Sequence, residues 1–62
     1  MEEDRLANAK SALEVAKGDL ERERDTYHLR DDPRGRYVSI AITHIEDALL
    51  RVDAVIAVNA AG

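Results

Sequence analysis

The chain has no cysteine, tryptophan or phenylalanine, one proline and two tyrosines. Without cysteine, neither a disulfide nor a thiolate metal site can brace a small core. Two aromatic residues are too few for a surface that stacks nucleic-acid bases. With only Pro33 and three glycines, little interrupts a helix. No apolar run approaches the ~18 residues of a membrane-spanning helix. The opening residues, M-E-E-D-R, are acidic and lack the apolar stretch of a signal peptide. Positive charge is also short: nine Lys and Arg against thirteen Asp and Glu leave a net charge of −4. That balance suits a nucleic-acid backbone poorly. These absences predict a cytoplasmic protein with neither a DNA nor a membrane partner.

What is present centres on one stretch, Arg36 to Leu50, reading R-Y-V-S-I-A-I-T-H-I-E-D-A-L-L. At 3.6 residues per turn, Tyr37, Val38, Ala41, Ile42, Ile45, Ala48, Leu49, Val52, Val55 and Ile56 share an arc of about 140°. Ile40, Leu50, Ala54, Ala57 and Val58 lie outside it and add apolar surface elsewhere. One partner helix cannot cover so much. A core built from fewer than ~70–80 residues rarely supplies more than ~3–5 kcal/mol. Self-association is therefore expected.

The first segment, about residues 2–28, is rich in Ala, Leu, Glu, Lys and Arg, all good helix formers. Leu6, Leu13, Leu20 and Tyr27 recur every seven residues, with Ala9 and Ala16 beside them. This is a narrow heptad stripe. Glu2, Glu3 and Asp4 suit the positive end of the helix dipole. Gly18 marks either a close contact or a tolerated break, and Glu23 and Arg24 interrupt the stripe near its end.

Asp32 followed by Pro33 is a helix start: aspartate caps free amides, and proline suits the first helical position. The loop is then about residues 29–31, short enough to make the two helices antiparallel neighbours. Helix two runs to about residue 59, and residues 60–62 fray. The expected fold is all-α, an antiparallel two-helix hairpin that oligomerises into a helical bundle. It forms a single domain over residues 1–62, with helices at about 2–28 and 32–59.

Arg30, Arg34 and Arg36 cluster at the turn, and Arg22, Arg24 and His28 approach from the end of helix one. Arginine forks bind phosphate at two points, and free amides at a helix N-terminus favour anions. Gly35 leaves the backbone open to a ligand. The alternative is a solvated charge mixture, with Glu21, Glu23, Asp25, Asp31 and Asp32 neutralising the arginines. Ser39 and Thr43 are stacked one turn apart, where they can donate to a ligand or bond back to carbonyls of their own helix. His44 has Glu46 and Asp47 nearby, a weak set for a metal. There is no Gly-rich phosphate loop, HExxH or nucleophile motif. A short hairpin also offers little shelter for catalysis. No enzyme activity, cofactor or metal is expected.

At D-P-R-G-R-Y-V-S-I-A-I-T-H-I-E-D-A-L-L the sequence resembles the hairpin domain of phage anti-CBASS and anti-Thoeris sponge proteins. Arg36-Tyr37, Ile40-Ala41-Ile42, Thr43 and Ile45-Glu46 match that pattern in order and spacing. The resemblance implies a non-enzymatic protein of immune evasion. Such a protein would bind a cyclic oligonucleotide or a cyclic ADP-ribose-like signal and withhold it from bacterial effectors in the host cytoplasm. It further implies a homo-oligomer, up to a hexamer, that holds its ligand between subunits. The ligand set implied is Arg36, Ser39, Thr43, Arg34 and Tyr37. Longer members carry a segment ahead of the first helix, with a tyrosine used for cyclic dinucleotides, that has no counterpart here. A purely structural hairpin, one that only oligomerises or docks on a partner helix, is the rival from a different class.

Overall fold

A computed structural model describes the backbone of residues 2–62 and the side-chain surroundings of residues 5–62. The side chains of Glu2, Glu3 and Asp4, expected to complement the first helix dipole, lie outside the described residues. Two helices, α1 (Glu2–Leu29) and α2 (Arg34–Ala61), form an antiparallel hairpin. It measures 48 × 15 × 10 Å. The fold is the all-α two-helix hairpin that the periodicity predicts.

The ends of the helices differ slightly from expectation. α1 runs one residue further, to Leu29, and the left-handed Asp31 two residues on stops it. α2 begins at Arg34 rather than Asp32, because Asp32 and Pro33 serve as its lead-in. Pro33 already has helical angles, φ −63° and ψ −16°. At the far end the helix persists to Ala61, since the Gly62 N–H donates to the Val58 carbonyl at 3.1 Å.

Leu6, Leu13, Leu20 and Tyr27 are all half-buried against α2, so the heptad stripe is the inner face of α1. From α2 come Val38, Ile45, Leu49, Val52 and Ile56, half-buried, and Ile42, which is 4% exposed. Ile42 is the only buried large hydrophobic among the described residues. The wide arc is thus split. Its middle and the edge that carries Ile42 meet α1, while Tyr37 and Val55 at the opposite edge stay exposed. Two ion pairs tie the helices along one flank: Lys10 to Asp53 at 2.8 Å and Lys17 to Glu46 at 3.3 Å. Both are well hydrated and set register more than they add stability.

Candidate anion site at the turn

The turn is built by hydrogen bonding rather than by apolar contact. The Asp32 N–H donates to the Tyr27 carbonyl at 2.8 Å, and the Asp31 N–H to the His28 carbonyl at 3.1 Å. This crossed pair is a Schellman closure, with Asp31 as its left-handed residue at φ 54°. The chain then reverses, and Asp32 takes over α2. Its Oδ1 accepts the Arg34 N–H at 2.9 Å, which is the capping role read from the Asp-Pro pair.

The same carboxylate grips the Arg34 side chain. Arg34 Nε lies 3.1 and 3.0 Å from the two Asp32 oxygens, and Nη2 lies 2.6 Å from Oδ2. The Arg34 guanidinium also stacks on Tyr27, 4.6 Å from the ring centroid. Arg34 thereby joins the two helices as a clamp. Its bond to Asp32, followed by the backbone bond there, lowers the Asp32 carboxyl from 3.8 to about 2.

Beside this clamp lies an open cleft of about 510 Å³, lined by His28, Asp31, Asp32, Pro33, Arg36 and Ser39. Arg36 and Ser39, one turn apart or nearly so on α2, share this wall. Arg36 forms no ion pair among the described residues, whereas Arg22 is held by Asp19, Arg24 by Asp25 at 3.7 Å, and Arg51 by Asp47 at 3.0 Å. Ion pairing thus accounts for Arg22, Arg24 and Arg34 of the turn cluster, whereas Arg30 and Arg36 have no such partner among the described residues, and of these two only Arg36 lines the cleft.

The remaining candidates are placed otherwise. Arg34 is occupied by Asp32, as above. The Thr43 hydroxyl donates to the Ser39 carbonyl at 3.1 Å, the back-bonded arrangement. Tyr37, 71% exposed, does not line the cleft. Two supports expected for an anion are also altered. The α2 amides are not free: Arg34 N–H goes to Asp32 Oδ1, Gly35 N–H to the Asp32 carbonyl at 3.1 Å, and Arg36 N–H to the Pro33 carbonyl at 3.2 Å. Gly35 is not open to a ligand either, because α1 buries it. A methyl group at Gly35 would sit 2.6 Å from His28 Cδ2 and 2.9 Å from His28 Nε2.

His28 is the cleft residue that the resemblance does not supply. Its signal in the sequence is a glycine at the second position of α2, opposite a histidine across a short turn. What the cleft can do is hold an anion through Arg36, with Ser39 and His28 as further donors and Asp31 opposing. Among the described residues no cluster of His, Asp and Glu gathers as a metal site would need. Among the described residues no helix is long and apolar enough to cross a membrane. No protein-family model, curated protein or solved structure matches the chain.

Proposed function

We propose that the chain is a non-catalytic, self-associating hairpin that binds a cyclic oligonucleotide or cyclic ADP-ribose-like signal and sequesters it. In this reading it acts in the bacterial cytoplasm and blunts anti-phage signalling, as its resemblance to the sponge proteins implies. The observation that carries the reading is Arg36, a guanidinium with no ion-pair partner among the described residues, on the wall of a cleft it shares with Ser39 and His28. A fork of donors in that position suits a phosphodiester, whose charge is spread over two oxygens.

Calorimetric titration with a panel of cyclic di- and trinucleotides and cyclic ADP-ribose isomers tests it. A charged hydrogen bond contributes ~1.5–3 kcal/mol, so Arg36→Ala should weaken binding roughly ten- to a hundredfold. Arg36→Lys should recover only part, since an ammonium lacks the planar two-point contact. Ligand recovered from the denatured complex should be unchanged by mass spectrometry. Linearised product that accumulates with protein would sink the sequestration reading. Binding untouched by Arg36→Ala would remove the turn cleft from it.

The exposed Tyr37, Ile40, Leu50, Val55 and Val58 on α2 favour a second reading, a structural module that only self-associates. The two part cleanly in one experiment. An assembled protein that binds nothing in the panel is the structural module.

A further inference from the structure

The outward side of α2 carries Ile40, His44, Asp47, Arg51, Ala54 and Val58, spaced alternately four and three apart and all exposed. At 100° per residue they stay within roughly 80°, the width of a coiled-coil seam. The row is chemically self-complementary when laid antiparallel on itself. Ile40 then faces Val58 of a second copy, His44 faces Ala54, and Asp47 faces Arg51, each contact occurring twice. A parallel pairing would instead set Asp47 on Asp47 and Arg51 on Arg51.

The exposed area points the same way. A globular chain of 6.9 kDa shows about 4,000 Å² of surface. This hairpin shows 4850 Å². The excess of about 850 Å² is close to the ~800 Å² that each partner buries in a standard interface. Among the described residues the large exposed hydrophobics are Val15 and Leu29 on α1 and Tyr37, Ile40, Leu50, Val55 and Val58 on α2, so most of them lie on α2.

We propose that α2 docks a second copy of this chain antiparallel, through this seam, about a two-fold axis that passes beside Leu49. Tyr37, Leu50 and Val55 flank the seam and extend its apolar margin. The proposal deepens the self-association of the reading above and rests on that part alone, not on the ligand.

Charge variants and engineered cysteines test it. Asp47→Arg leaves four positive charges at the centre of a pair, and Arg51→Asp leaves four negative ones. Either variant alone should associate roughly tenfold or more weakly than the parent by sedimentation equilibrium. An equimolar mixture of the two should regain the parental affinity. Both variants lack the intrachain Asp47–Arg51 pair, so recovery on mixing reports contacts between chains. Orientation is read from Ile40→Cys and Val58→Cys, in a chain with no native cysteine. The mixed variants should cross-link on oxidation. Neither should cross-link with itself, because like positions lie roughly 27 Å apart along an antiparallel pair. A parental monomer at micromolar concentration overturns self-association and seam together. An oligomer in which each cysteine variant cross-links with itself, or in which the charge variants assemble like the parent, overturns the seam alone.

Discussion

Gly18 and Gly35 are both helical, yet their surroundings give them opposite meanings. A methyl group added at Gly18 would meet nothing closer than Arg22 Nη1 at 4.0 Å. Gly18→Ala should therefore stabilise the fold by up to ~1 kcal/mol, seen as a higher denaturant midpoint. No gain there would mean that the glycine serves a contact between chains. At Gly35 the same change drives the methyl into the His28 ring, so the histidine must leave its place in the cleft. The two glycines look alike in the sequence because each lies in a helical pattern. Only the arrival of α1 tells them apart. Asp32 supplies a second prediction at this scale. Its folded carboxyl is lowered to about 2, chiefly by the Arg34 bond, below the ~3.9 of an unfolded aspartate. The stabilisation is full above the unfolded value and is lost as pH falls through the folded one. Acid titration of Asp32→Asn should lack the part of the stability loss that the parent shows between about pH 4 and 2.

The two helices divide their work unevenly. α1 offers one narrow inner stripe and a polar exterior. α2 carries apolar residues around most of its circumference. Ile42 is the point where the hairpin core closes, and Ile42→Ala should cost about 2–4 kcal/mol in chemical denaturation. A loss under 1 kcal/mol would place the core elsewhere. The helical periods and the antiparallel turn were legible from the heptad stripe, the wide arc and the Asp-Pro pair. Which part of the arc faces α1 was not, because a 140° arc has no unique centre until a second helix docks on it. The turn was legible in part. Asp32 capping follows from residue type, but its hold on the Arg34 side chain needs the geometry of the reversal. Arg36 became distinct from the other arginines only once the ion pairs and the cleft were placed, since Arg30 also lacks a partner among the described residues but does not line the cleft.

At the scale of the molecule, a rod 48 Å long with one buried large hydrophobic among its described residues has little inside to hold it. The self-association proposed above would add contacts between chains, and it would make melting depend on concentration. For a folded dimer of 62-residue chains, tenfold dilution lowers Tm by about 5 °C. Circular dichroism melts at two concentrations a decade apart measure this directly. A fixed midpoint would mean that the single hairpin stands alone.

The turn sits at one end of α2, and this sets how many ligands an assembly can carry. Arg36 and the seam midpoint beside Leu49 are thirteen residues apart, roughly 20 Å along the helix axis. In the two-fold pair the clefts then open at opposite tips, about 40 Å from one another. No ring of a few nucleotides spans that gap. Under the proposed binding and pairing, each chain would take up its own ligand, and occupancy of one tip would leave the other unchanged. A store of this kind fills in proportion to the free signal, without a threshold, and its capacity is counted in chains.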